Sequence, residues 1–301
     1  MNNYITELYV FIDNFLKIYL STEIGNQMYI TYWKNKRGFS KSLTLSEVVT
    51  LNLVRFYYNI SDLKSFHRLL KNDLTKYFPN TPNYENFLKS TNKSLGFILV
   101  ILKYLLHKNS RCDSKYHFID STDLPVCKNY NIFYHKVTKE VSERGKTSKG
   151  WFYGLKLHGV CNIFGALENI YFTSGNIHDN QVLDELLKDI TGIFVCDSGY
   201  LLKEEDLKKF IELNKEFFIA TRKNMKRIMN KEQKKLFKKR SRIETNWSVL
   251  KKRFNMVYSC ARSVFGLLRH YIYSVVSFML RDTKGNIRLI DSNIYENYCL
   301  N

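Results

Sequence analysis

Three carboxylates in this sequence could do chemistry together: Asp120 in FIDST, Asp197 in FVCDSGY and Glu244 in KKRSRIETNWSVLKKRF. Each aspartate follows a short apolar run of strand type. In a sheet with parallel central strands, the carboxyl ends of those strands are where ligands bind, so neighbouring strands would bring both aspartates to one edge. Either Asp alone is equally a turn or helix-cap residue; the pair at corresponding strand ends carries more. Glu244 is the one acid in a stretch with seven Lys or Arg residues. At 100° per residue, Ile243, Trp247, Leu250 and Phe254 form an apolar helix stripe, and Arg240, Glu244 and Lys251 share a stripe beside it, within about 40° of one another. Glu244 therefore borders the buried face. The plainer alternative is an exposed i,i+4 ion pair with Arg240, worth a few tenths of a kcal/mol.

Three carboxylates in one cleft repel each other and bind protons unless cations intervene. Oxygen-only ligands suit Mg²⁺, with Mn²⁺ able to substitute. Two such ions about 3.5–4 Å apart can activate a nucleophile and stabilise the leaving oxygen of an in-line displacement at phosphorus. Zinc is not expected, because His117, His135, His158 and His178 lack H-x-x-x-H or Cys partner spacing.

The charge balance fits a phosphate-rich partner. Of 301 residues, 47 are Lys or Arg and 28 Asp or Glu, a formal net of +19. Residues 222–253 hold 14 basic residues, among them Arg222 and Lys223, against two acids, Glu232 and Glu244. So uneven a distribution points to a patch that tracks phosphates. The six cysteines are widely spaced with no C-x-x-C pair, the pattern of reduced thiols in a cytosolic protein. The N-terminal stretch is not of signal-peptide type, and FILVILKYLL and YIYSVVSFML are too short to span a bilayer, so no membrane partner and a cytoplasmic location are expected.

Elements must position these acids. Helical spacing covers 4–20, 46–54, 63–70 and one or two helices ending near 108, a helical N-terminal domain over 1–110 that serves packing, dimerisation or DNA contact. From 115 to 254 the pattern gives three strands, then helix, strand, helix, strand, helix: strand–helix–strand units following a meander, in a mixed sheet covered by helices. This is the element order of the ribonuclease-H-like fold, an α/β class, expected over 111–285 with a tail at 286–301. Residues 122–150 read as a long connection with little regular pattern, and its Lys136, Lys139, Arg144, Lys146 and Lys149 suit a nucleic-acid-facing insertion.

The motifs IDSTDLPVC (119–127), RGKTSKGWFYGLKLH (144–158), TSGNIHDN (173–180), DSGY (197–200), RKNMK (222–226) and KRSRIET (239–245) occur in this order. With them, the chain resembles the DDE transposases of bacterial insertion sequences, specifically the insertion sequence 982 family. The resemblance covers about 110–280. It implies that Asp120, Asp197 and Glu244 are the catalytic, metal-binding triad. Phe237, Arg240, Glu244 and Lys251 stand at the intervals of a Tyr-Arg-Glu-Lys signature, with Phe in place of Tyr. The family more often has Pro where Ser174 stands and Arg where Asn180 stands. The implied activity is metal-dependent cleavage at the element ends and strand transfer of the freed 3′-hydroxyl into target DNA, by a homodimer holding double-stranded terminal inverted repeats in the nucleoid.

Arg240 and Lys251 are expected on DNA phosphates, as are Arg144, Lys146, Arg222 and Lys223. Lys156 and His158 share a strand face, so a joint DNA contact is open, with a structural hydrogen bond as the alternative for His158. Trp247 could stack on a base, but its place in the apolar stripe suits core packing. Two other functions remain: a ribonuclease-H-like nuclease or resolvase without strand transfer, and a catalytically silent DNA-binding protein derived from a transposase.

Overall fold

The structure, a computed structural model, describes residues 2–34, 41–111, 114–219, 230–257 and 259–281. The chain divides into two compact units. The first comprises residues 1–104, 253–255 and 259–301 and the second residues 105–252 and 256–258.

The first unit is helical. It contains α1 (Asn2–Ser21), α2 (Glu23–Met28) running into a π-helical turn, α3 (Leu45–Tyr57), α4 (Leu63–Asn72) and α5 (Tyr84–Lys93). It also holds most of α6 (Leu95–Ser110). Helix α3 begins at a capping box in which Thr44 and Glu47 bond each other's backbone amides, and eleven of its thirteen residues are buried. One buried polar chain runs between its elements. Arg55 donates from Nη2 to His270 Nδ1 at 3.2 Å, and His270 Nε2 donates to the Asn255 carbonyl at 2.7 Å.

The second unit is built on a six-stranded sheet. Its strands are β1 (Tyr116–Cys127), β2 (Glu143–Thr147), β3 (Gly150–Asn162), β4 (Leu167–Ser174), β5 (Gly192–Cys196) and β6 (Lys215–Ile219). The long order is β4-β3-β1-β5-β6, antiparallel across β4, β3 and β1 and parallel from β1 through β5 to β6. Strand β2 extends the same edge of β3 that β4 occupies, pairing with residues 150–154 below the β4 register. The parallel strands are apolar on both faces, as strands under helices must be: Phe118, Ile119, Phe194 and Val195 are fully buried. Helices α7 (Leu183–Leu186) and α8 (Glu204–Glu212) connect β4 to β5 and β5 to β6. Helices α9 (Lys231–Lys238) and α10 (Ser241–Arg253) follow. The mixed sheet with its flanking helices is consistent with a ribonuclease-H-like fold.

Several elements differ from the sequence expectation, each for a physical reason. The connection 122–150 is more regular than expected: β1 continues to Cys127 through a bulge at Pro125, a six-residue 3₁₀ helix covers 129–134, and β2 forms a hairpin with β3. ERGKT carries no apolar alternation because β2 is an edge strand with four of its five residues unburied. DNQVLDELLKDI makes only a 3₁₀ turn and the four-residue α7, although Val182, Leu183, Leu186, Leu187 and Ile190 are all buried as its spacing requires. The last helix among the described residues, α11 (Val264–Met279), belongs to the first unit, whereas a single sheet domain was expected to continue to 285. No helix among the described residues is long and apolar enough to cross a membrane.

Candidate active site

Asp120 lies within β1 and not at its end, but the expected juxtaposition is present. The parallel pairing of β1 with β5 stops at Phe118 opposite Val195. Asp120 and Asp197 are each two residues further on, so both leave the paired segment at the same height. Asp197 also does the capping work that an Asp after a strand often does, accepting from the Gly199 amide at 2.9 Å.

Glu244 arrives on α10. Ile243, Trp247 and Leu250 are buried, as the stripe predicts, while Phe254 follows the helix end and belongs to the first unit. The Trp247 ring lies against β3 at Gly159, where an added Cβ would come within 2.5 Å of the indole. Asn246 donates to the Gly165 carbonyl at 2.8 Å and Arg242 donates to the Ile163 carbonyl, tying α10 to the β3–β4 turn. The helix position that fixes Glu244 thus depends on one glycine and two turn carbonyls.

Arg240, in the turn before α10, gathers the three acids. Its Nη2 is 2.7 Å from Asp120 Oδ1 and 3.5 Å from Asp197 Oδ2, and its Nη1 is 2.7 Å from Glu244 Oε1. The guanidinium also lies over the Phe237 ring, 5.9 Å from its centroid. The ion pair with Glu244 is therefore real, yet it is one arm of a larger convergence. Two further acids complete the picture: Lys251 bonds Asp123 at 2.8 Å, and Lys156 bonds Asp179 at 3.2 Å and the Ile177 carbonyl at 2.7 Å. All of these residues except Ile177 and Phe237 line one cleft of about 690 Å³, together with Lys146, Lys149 and Lys252.

Electrostatics follow from this arrangement. Burial pushes the Asp120 carboxyl up to about 7; Arg240 opposes the rise, while Asp197 and Glu244 reinforce it. Burial alone would lower the Arg240 pKa, but the three carboxylates outweigh it and raise it. Burial lowers Lys251, with Asp123 opposing. Lys156 balances Asp179 and Lys251 balances Asp123. Three carboxylates then face one guanidinium, so even with Asp120 partly protonated near neutral pH their negative charge exceeds its single positive one.

That surplus bears on metal binding. Among the described residues no three His, Cys, Asp or Glu side chains stand close enough to cage an ion as they are placed, because the guanidinium takes the central position. The donor chemistry nonetheless fits hard divalent cations: all three groups are carboxylates, and they converge on a single positive centre with negative charge in excess.

The other expected site residues divide. Lys146 lines the cleft, and Arg144 is exposed two residues away on β2. Arg222 and Lys223 lie outside the described residues. His158 is fully buried and presents no surface to DNA. Its Nε2 meets Thr173 Oγ1 at 2.9 Å, its Nδ1 lies 3.7 Å from Asp179 Oδ1, and burial lowers its pKa to about 4. Of the two roles open for His158, a DNA contact and a structural hydrogen bond, the structure has the hydrogen bond, inside the sheet. Asp123 and Asp179 were not singled out from the sequence, although IDSTDLPVC and TSGNIHDN contain them.

A family model described as transposase DDE domain matches residues 110–264, a span that contains every residue lining the cleft. Comparisons with curated proteins and with solved structures gave no significant match. The matched span is just over half of the 301 residues and carries the sheet, α10 and the three converging carboxylates; the chain belongs to the DDE transposase domain family.

Proposed function

We propose that the protein is a transposase, of the insertion sequence 982 type, that cuts the phosphodiester backbone at the ends of its element and joins the freed 3′-hydroxyl to target DNA. In the first stage water attacks phosphorus and the 3′-oxygen leaves; in the second that 3′-hydroxyl attacks a target phosphorus in the same cleft and the target strand's own 3′-oxygen leaves, taking up the proton the hydroxyl loses. One observation carries the proposal: Asp120, Asp197 and Glu244, 77 and 47 residues apart in turn, meet on one guanidinium inside a basic cleft.

Asp120, Asp197 and Glu244 would hold two divalent ions, Mg²⁺ or Mn²⁺, which supply charge neutralisation and a nucleophile at neutral pH. The basic residues do the rest. Lys251 and Lys156, each fixed by an acid on a neighbouring element, present their ammonium groups at set positions on the cleft wall, where a phosphate can accept from them. Lys146, Lys149 and Lys252 add charge along the path of the strand. Among the described residues Arg240 is the one cation in contact with all three acids, so it is placed to donate to a non-bridging phosphate oxygen as that oxygen enters.

The test is incubation with DNA carrying the inverted repeats that flank the gene, in Mg²⁺, followed by mapping of strand breaks and joined products. Asp197→Asn is expected to reduce cleavage by at least about a thousandfold, while the Kd for the same DNA changes little. Wild-type cleavage by that variant would exclude the site. Cut ends that never join a target would instead favour a nuclease.

A further inference from the structure

Beside the acid cleft lies a second groove, of about 390 Å³, between the 3₁₀ helix 129–134 and the β2–β3 hairpin. It shares Asp123, Thr147 and Lys149 with the cleft, so the two are continuous. Its walls expose large aromatic rings that the core does not use: Trp151 is 62% exposed and Tyr130 69%. Phe133 and Tyr134, on the same 3₁₀ helix, are also exposed. The rings are flanked by cations. Lys146 Nζ lies 5.5 Å from the Trp151 ring centroid and Lys128 Nζ 5.8 Å from that of Tyr130. The platform is built in advance, because Asn129 Nδ2 donates to the Trp151 carbonyl at 2.8 Å and ties the 3₁₀ helix to the hairpin.

We propose that this groove binds an unpaired nucleotide of the DNA strand whose phosphate occupies the acid cleft, its base stacking on Trp151 and Tyr130. The inference rests on the transposase function proposed above and assigns a subsite to it. Exposed aromatic faces interleaved with lysines are what a nucleobase and its phosphate require together, since every base has a π-face and every linkage a negative charge. A base inside a duplex has both faces covered, so a stacking platform takes only a nucleotide displaced from its pair. The charge of the groove excludes an acid-poor protein surface as the better occupant: its single carboxylate, Asp123, is already held by Lys251.

The tryptophans make the test direct. Trp33 and Trp247 are buried, so Trp151 dominates any quenching by a stacked base. The full-length chain, without metal, is titrated with a flush-ended duplex and with the same duplex carrying a three-nucleotide unpaired end. The unpaired end is expected to quench emission, and Trp151→Phe to remove that change. Tyr130→Ala with Trp151→Ala should weaken binding of the unpaired end by about 5- to 100-fold and of the flush duplex by less than about twofold, with unchanged thermal unfolding because both rings are exposed. Equal weakening for both DNAs, or none, overturns the subsite without overturning the transposase function. A concentration-dependent self-association lost in the double variant, without discrimination between DNAs, would overturn it in favour of a protein contact. Failure of the wild-type chain to bind either DNA would overturn this subsite and the transposase function together.

Discussion

Asp120 is largely buried in the cleft and bonded to Arg240, and its environment makes a testable statement about charge. An unfolded aspartate titrates near 3.9, whereas burial holds this one near 7. Between those values the native state binds more protons than the unfolded state. The contribution to stability is thus fully present below about pH 4 and is lost as pH rises through about 7. Asp120→Asn removes the ionisation. In EDTA, thermal unfolding of this variant should show a gain of about 2–4 kcal/mol at pH 8 and little change near pH 4, where the carboxyl is protonated in the folded state and largely so in the unfolded state. Mg²⁺ should raise the wild-type Tm at pH 8 and leave the variant unmoved. A variant destabilised equally at both pH values would show that Arg240 fully offsets the buried charge. The three acids that meet on Arg240 stand out in the sequence because each contrasts with its surroundings, apolar for the aspartates and basic for the glutamate. Asp123 and Asp179 are not legible in that way. They resemble ordinary turn acids, and their work depends on meeting Lys251 and Lys156, which lie 128 and 23 residues away.

At the scale of elements, the contact between α10 and β3 decides where Glu244 sits. The apolar stripe of α10 is readable from its spacing, and Ile243, Trp247 and Leu250 are indeed buried. What spacing cannot show is that Gly159 is small because an indole lies on it. Strand β2 was hidden for the opposite reason: an edge strand can be polar throughout, and only its pairing with residues 150–154 reveals it. The Gly159 contact predicts a coupled pair. Gly159→Ala puts a methyl group within 2.5 Å of the indole and should cost about 1–3 kcal/mol through overpacking. It should also lower DNA cleavage, by tilting α10 and with it Glu244. Trp247→Leu alone should cost about 2–4 kcal/mol, as large-to-small core changes do. Together the two should cost less than the sum, by roughly 1 kcal/mol or more, because the smaller side chain vacates the space the methyl needs. Denaturant unfolding of the four proteins measures the coupling, and strict additivity would mean that the ring does not press on β3.

At the scale of the whole molecule, the sequence shows a helical first part and an α/β second part, and the structure has both. The place of α11 could not be read, because YIYSVVSFML suits any helical core and nothing in its pattern says which. Charge, in contrast, is a global property that composition reports directly, and its consequence is a salt dependence. Helix α9 presents Lys234, Lys235 and Lys238 to solvent, close in sequence to Arg240. Each phosphate neutralised by a lysine releases counterions and adds about −0.9 to the slope of log K against log salt. If the basic segment tracks six to ten phosphates, affinity for a duplex should fall by about 10³–10⁵ between 50 and 200 mM salt. Replacing the three α9 lysines by alanine should then flatten the slope by about 2–3, with little change in Tm because the side chains are exposed. The same titration with Asp197→Asn should keep the wild-type slope, since the acids do not hold phosphate. A wild-type slope shallower than about −2 would mean that the +19 charge is spread over a solvated surface and follows no backbone.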